Sequence, residues 1–415
     1  MNALAVNEKP AFDVERIRAD FPILSREVYG KPLVYLDSAA SAQKPKVVID
    51  AVNEAYSHEY ANVHRGMHFL SNAATDKFEK ARTTARAFFN AAQEEEIIFT
   101  AGATDAINLV ASSWAEPRIG EGDEIILSQL EHHSNIVPWH FLRERYGAVL
   151  KWVPLTDEGD VDLEAYKAAF GPRTKFVAMS QMSNALGTIT PIKEMIDLAH
   201  EHGVPVLVDG CQGAVHLPTD VQSLDCDFYV CSGHKLYGPS GIGLLYAKRE
   251  HLDAMRPYRG GGEMIREVTM DKITYADPPH RFEAGTPAIV QAIGLGVALD
   301  YMMSVGREAI LAHEMALLDY ATQRLSDVDG LRIIGTSKEK GSIISFVMDY
   351  AHAHDIATVI DRAGVAVRAG HHCAQPVMDR FGVGATSRAS FAMYNTTEDV
   401  DRLAEALIAS KKFFG

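Results

Sequence analysis

Lys235 lies in Cys231-Ser232-Gly233-His234-Lys235-Leu236-Tyr237-Gly238-Pro239, directly after the apolar run Phe228-Tyr229-Val230-Cys231. A second apolar run, Val204-Pro205-Val206-Leu207-Val208, ends in Asp209. An amine leaving one buried strand and a carboxylate leaving another are what a pyridoxal phosphate site needs. The lysine holds the aldehyde as a Schiff base, and the carboxylate keeps the ring nitrogen protonated so that the ring draws electrons. Alone, a lysine after a strand is usually just solvated.

Other segments complete such a site. Thr100-Ala101-Gly102-Ala103-Thr104-Asp105 follows a strand and opens a helix. Its glycine lets backbone approach an anion, the helix start offers free N–H groups, and Thr104 adds a hydroxyl. Taken singly it also reads as a plain turn with a threonine cap. Ser232 and His234 can donate to the same phosphate, and Gln212 can reach the phenolic oxygen of the cofactor. Glu131-His132-His133-Ser134-Asn135 follows another strand, so one of its histidines can stack on the ring and shuttle protons; a surface histidine pair is the bland alternative. GxGxxG and GxxxxGK[ST] are missing, so dinucleotide and nucleoside triphosphate binding have no motif support.

Arg368-Ala369-Gly370-His371-His372-Cys373-Ala374-Gln375-Pro376 reads as a loop between a strand and a helix. A helix start and two neighbouring histidines would favour the Cys373 thiolate, the reactive form. Cys211, Cys226 and Cys231 lie in or beside apolar strands and read as packing residues. In Ser387-Arg388-Ala389-Ser390-Phe391-Ala392-Met393, alternation puts Arg388 and Ser390 opposite Phe391 and Met393. A strand arginine can grip a carboxylate with two parallel hydrogen bonds, or serve a structural ion pair.

These residues need elements to position them. The 415 residues exceed one typical core, so a large and a smaller domain are expected. Strand runs at Glu96–Phe99, Glu124–Leu127, Val149–Val153, Lys175–Met179, Val204–Val208, Phe228–Cys231 and Gly243–Tyr246 are short and nearly continuously apolar, as in a mainly parallel sheet buried on both faces. Helical stretches such as Leu163–Phe170 and Ile192–His202 lie between several of them. Beyond a helix at Arg307–Val328, strands are expected at Leu331–Ile334, Ser342–Met348, Val365–Arg368 and Arg388–Met393. Helices are expected at Asp355–Arg362 and Glu398–Phe413, the last with Asp399 completing a capping box. Tyr258–Pro279 reads as a long functional loop, and Asp13–Asp20 as a short helix. The fold class is α/β, with a second, small α+β domain.

The net charge of −15 argues against non-specific nucleic-acid binding. No run approaches the roughly 20 apolar residues of a membrane helix. Met1–Phe12 has no signal-peptide pattern and reads as a loose tail. Four cysteines without a CxxC pair suggest a reducing cytoplasm and no zinc site.

The chain resembles the cysteine desulfurases of the SufS type (group II), in the class V branch of fold-type I pyridoxal phosphate enzymes. The resemblance runs from Asp13 almost to the C-terminus. It rests on Tyr35-Leu36-Asp37-Ser38-Ala39-Ala40, Asn62-Val63-His64-Arg65-Gly66, Glu131-His132-His133, Ser183-Asn184-Ala185-Leu186-Gly187-Thr188, Ser232-Gly233-His234-Lys235, Gly260-Gly261-Gly262-Glu263-Met264, Ala284-Gly285-Thr286-Pro287 and Arg368-Ala369-Gly370-His371-His372-Cys373.

It implies a seven-stranded large domain over residues 31–295, a small domain over 296–415, and an N-terminal segment, 1–30, packed with the small domain. It implies that Lys235 carries pyridoxal 5′-phosphate, Asp209 meets its ring nitrogen, His132 stacks on the ring and Gln212 contacts O3′. Ala103, Thr104, Ser232 and His234 would surround the phosphate, with Thr286 arriving from the second subunit of a homodimer. Arg388, Asn184, His64 and Arg368 would bind L-cysteine, and Cys373 would take its sulfur, leaving L-alanine. A SufE- or SufU-like protein would accept the sulfur, and selenocysteine is a plausible second substrate. Ala103 stands where the family often has threonine, and Ser387 where many relatives have cysteine. Another enzyme on the same fold would give Cys373 no task. A metal or scaffold protein using His132, His133, His371, His372 and Cys373 would leave Lys235 and Asp209 unexplained.

Overall fold

The computed structural model describes residues 12–414, so the tail read at the N-terminus lies almost wholly outside the described residues. The seven expected strands all form, and they join one sheet. They are β1 (Ile97–Thr100), β2 (Glu124–Ser128), β3 (Val149–Val153), β4 (Thr174–Ser180), β5 (Val206–Asp209), β6 (Phe228–Ser232) and β7 (Gly243–Ala247). Their order across the sheet is β1-β7-β6-β5-β4-β2-β3. Only β7 runs against its neighbours. The C-terminal ends of β1, β2, β4, β5 and β6 therefore open on one edge.

The apolar runs are continuous because both faces of the sheet are covered. Phe228 and Val230 pack into one core with Ile125, Leu127 and Phe176. Tyr229 and Cys231 pack into the other with Ile126, Val177 and Val208. Apart from the edge strand β3, where Val149 and Trp152 are exposed, each strand alternates between two apolar layers, not between core and water.

A second sheet follows the Arg307–Ser326 helix: β8 (Leu331–Ile334), β9 (Ile343–Met348), β10 (Arg368–Gly370) and β11 (Thr386–Ser390), in the antiparallel order β8-β9-β11-β10. Its core holds Leu317, Ile344, Phe346, Ala389 and Leu403. At the last helix, Thr397–Phe414, Asp399 N–H donates to Thr396 Oγ1 (3.3 Å) and Thr396 N–H donates to Asp399 Oδ2 (3.2 Å), the expected capping box.

Three expectations change. The strand expected over Val365–Arg368 breaks at Val367. Val365–Ala366 pairs with Val34–Tyr35, whereas Arg368–Gly370 joins β11, so one extended segment serves two sheets. The strand expected to reach Met393 stops at Ser390, because Asn395 Oδ1 takes the Ala392 N–H (2.9 Å) and Asn395 N–H donates to Ala392 O (2.9 Å), closing a turn. The expected long loop contains a hairpin, Ile265–Val268 with Ile273–Tyr275. Among the described residues no single helix is long and apolar enough to cross a membrane.

Candidate active site

A cavity of about 280 Å³ opens at the C-terminal edge of the large sheet. Lys235, Asp209, Gln212, His132, Ala103, Thr104, Ser232, His234, Asn184, Arg368, Arg388 and Cys373 all line it. These residues come from five strand ends of one sheet and from β10 and β11 of the other. Strand ends of this kind are where open α/β sheets hold ligands.

The β1 and β6 ends meet around glycine. Gly102, at φ +151°, precedes the helix Ala103–Val110, and the Ala103 N–H donates to Ser232 Oγ (2.9 Å). A Cβ on Gly243 would stand 2.5 Å from Gly102 Cα and 2.6 Å from Cys231 O, so only glycine lets β7 pass this close. Beyond Ser232 the chain turns, Lys235 N–H donating to Ser232 O (3.2 Å). The His234 carbonyl accepts from Ala42 N–H (3.2 Å), Ser41 Oγ (3.3 Å) and Lys44 Nζ (2.9 Å). Those contacts fix the peptide from which Lys235 springs.

Lys235 and Asp209 face the same cavity and form no ion pair with each other. Asp209 is 4% exposed; its Oδ1 accepts from Cys211 N–H (3.0 Å), and no cation pairs with it among the described residues. The Gln212 amide donates to Ala39 O (2.8 Å), while its Oε1 is buried without a partner. His132 Nδ1 accepts from Ser134 N–H (3.1 Å), which leaves the ring proton on Nε2. Burial first, and then Lys235, hold this imidazole neutral, its pKa down at about 4.

Arg388 is buried. Its Nη1 donates to Asn184 O (2.7 Å) and its Nη2 to Asp37 Oδ1 (3.2 Å), while Nε has no partner. Burial lowers its pKa to about 10, and Asp37 opposes that shift. Arg368 shares the same carboxylate, with Nη2 2.9 Å from Asp37 Oδ2. Asn184 Nδ2 donates to His372 O (2.7 Å), so its amide grips the cysteine loop.

Cys373 is exposed. Its neighbour His372 does not supply the positive charge expected of it. His372 turns inward to Thr386 Oγ1 (2.8 Å), and burial drives its pKa to about 3. The cations that sense a charge on Cys373 are Arg388 and Arg368. Cys211, read as a packing residue, lines the cavity too, but burial and then Asp209 push its thiol up to about 12, so it stays protonated.

Two expected residues lie outside this cavity. Thr286 lines a neighbouring cleft with Thr100, Arg259 and Glu283. His64 binds Glu79 Oε1 (2.7 Å) and packs edge-on against His280. Sequence reasoning gave no role to two others. Asp37 joins both arginines. Glu131 is a fully buried carboxyl that accepts from Ser128 Oγ (2.5 Å), Ser180 Oγ (2.6 Å), Ser180 N–H (3.2 Å) and Asn135 Nδ2 (2.7 Å). It ties β2 to β4 directly beneath His132. Among the described residues no cluster of three or more His, Cys, Asp or Glu could hold a metal ion.

The class-V aminotransferase family matches residues 34–403. A cysteine desulfurase of Klebsiella pneumoniae is 51% identical over 97% of this chain and 100% of its own length.

The chain belongs to the cysteine desulfurases, within the class-V aminotransferase family.

A Synechococcus elongatus cysteine desulfurase is 52% identical over 95% of the chain, which spans 63% of that longer relative. The crystal structure of the cysteine desulfurase CsdA from Escherichia coli superposes with a TM-score of 0.91 at 40% identity, covering 98% of this chain and 100% of that one. Pyridoxal 5′-phosphate is the cofactor of this family. The cavity fits that group. A buried carboxylate with no cation suits a protonated ring nitrogen. Lys235 offers an amine unpaired among the described residues, and the unpartnered Gln212 Oε1 marks a buried polar position awaiting a ligand.

Proposed function

We propose that Cys373 receives the sulfur of L-cysteine as a persulfide and hands it to a sulfur-acceptor protein of the SufE or SufU kind, in iron–sulfur cluster assembly. One observation carries the reading: Lys235, Asp209, Arg388 and Cys373, from four separate stretches of chain, line a single cavity.

In this reading Lys235 Nζ holds the cofactor, Asp209 faces its ring nitrogen, and His132 and Gln212 lie against its ring and phenolic oxygen. The helix start at Ala103–Thr104, with Ser232 and His234, receives the phosphate. Bound pyridoxal phosphate supplies an electron sink conjugated to the substrate's α-carbon. Arg388 and Asn184, with Arg368 beside them, grip the substrate carboxylate. Lys235 Nζ, once free, removes the α-proton. The Cys373 thiolate attacks the substrate sulfur. The S–S bond forms as the Cβ–S bond breaks, and the electron pair returns to the β-carbon; a proton there, and the α-proton handed back by Lys235 Nζ, complete L-alanine. Atoms balance: L-cysteine and a thiol give L-alanine and a persulfide.

Thr286 and His64 enter this scheme from the second subunit of a homodimer. Their place outside the chain's own cavity supports it, as do the exposed apolar side chains Met67, Phe69, Val268 and Met270. We divide the chain into a large domain, 31–295, a small one, 296–415, and an N-terminal segment. Arg18, bound to Asp399 Oδ2 (3.0 Å), ties that segment to the small domain. Selenocysteine is a second substrate on chemical grounds, its C–Se bond being the weaker. Four free cysteines suit the cytoplasm.

The test is Cys373→Ala. It should keep the cofactor's absorbance and lose alanine production from L-cysteine; full alanine and sulfide production would remove Cys373 from the scheme.

A further inference from the structure

The Cys373 loop carries backbone strain. His372 and Cys373 sit at φ +53° and +54°, the left-handed region that side-chain-bearing residues rarely adopt, and here two do so in succession. Such a conformation persists where its surroundings over-determine it. Besides Thr386, which holds the His372 ring, two residues at the edge of the large sheet grip this stretch. The His133 N–H donates to Cys373 O at 2.7 Å, and the Gln375 N–H donates to His133 Nε2 at 3.2 Å. Asn184 Nδ2 holds His372 O at 2.7 Å. His133 thus brackets Cys373 from both sides, and the His371 ring packs 5.6 Å from its own. His133 does not line the cavity, and the proposed chemistry gives it no step.

We propose that His133 is a positioning residue for Cys373: its main-chain N–H and its imidazole acceptor hold the strained loop so that the thiol stays at the mouth of the cavity. The proposal rests on Cys373 being the sulfur acceptor. When the imidazole acceptor is lost, Gln375 N–H is freed, residues 372 and 373 relax toward ordinary φ values, and the thiol moves out of reach of substrate sulfur.

The experiment compares holoenzyme carrying His133→Leu with His133→Gln, whose amide oxygen sits near the place of Nε2. Deuterium exchange of the amides in residues 371–377 should be about tenfold faster with Leu and within about threefold of the parent with Gln, as for loss of one hydrogen bond. Turnover of L-cysteine should fall about tenfold in kcat with Leu, with KM within about threefold because Arg388 and Asn184 are untouched; Gln should restore most of it. Parent-like exchange in the Leu variant overturns the proposal. So does equal impairment of both variants, or faster exchange with unchanged kcat. If the Leu variant does not fold, His133→Asn, whose shorter amide cannot reach Gln375 N–H, takes its place with the same expectations. Exchange is read without turnover, so a failure of the persulfide assignment would appear in Cys373→Ala and not here.

Discussion

Asp37→Asn removes the carboxylate that the Arg388 and Arg368 guanidinium groups share. Arg388 Nη2 lies 3.2 Å from Asp37 Oδ1 and Arg368 Nη2 lies 2.9 Å from Oδ2. The side chains of Arg388 and Asp37 are 2% and 16% exposed, so this half of the triad is screened little by water; Arg368, at 49%, is screened much more. Breaking a buried pair by neutralising one partner costs about 3–5 kcal/mol. Discounted for the exposed arginine, the loss should be about 2–3 kcal/mol. A domain of 150–250 residues shifts by about 2–4 °C per kcal/mol and a longer chain by less, so the melting temperature should fall by roughly 3–6 °C. Scanning calorimetry on holoenzyme at neutral pH reads this directly. The control is Asp50→Asn, which breaks the exposed Lys46–Asp50 pair, both side chains more than half exposed; it should change the melting temperature by less than about 1 °C. An Asp37→Asn melting temperature equal to that of the control would refute the idea that Asp37 anchors the arginines.

Burial of His372 sets an acid sensitivity. Its pKa in the fold is about 3, against about 6.5 unfolded, so its neutral form stabilises fully above pH 6.5 and that contribution is lost as pH falls toward 3. Between pH 7 and pH 5 the parent should lose about 2 kcal/mol more stability than His372→Gln, read from urea unfolding at both values; equal losses would contradict the assignment. Gly243→Ala drives a methyl into the backbone of Gly102 and Cys231. Overpacking of about 1–3 kcal/mol at the phosphate end should weaken cofactor retention about tenfold or more, measured by equilibrium dialysis of pyridoxal phosphate, and unchanged retention would count against that site.

The large sheet was legible because each strand is a short apolar run closed by polar or glycine residues, and burial on both faces makes such runs continuous. Asp209 and Lys235 were legible because each ends a run, and strand ends converge on one edge. Asp37 was not: its partner Arg388 stands 351 residues away, and no local spacing announces a carboxylate that serves two arginines. Glu131 was hidden in a motif read for its histidines, since its meaning depends on Ser128 and Ser180 from neighbouring strands. The 265–275 hairpin was missed because Val268, Ile273 and Tyr275 are all exposed, so no buried face alternates with a wet one. The charge around Cys373 was misjudged because sequence shows two histidines beside it but not that His372 is buried.

The most direct measurement is the mass of the peptide containing Cys373 after one turnover of L-cysteine by holoenzyme without an acceptor protein, with thiols trapped by alkylation. The account predicts one added sulfur atom on Cys373, none on Cys211, and one L-alanine released per labelled site. Stoichiometric L-alanine with an unmodified Cys373, or with the sulfur on Cys211, would contradict it.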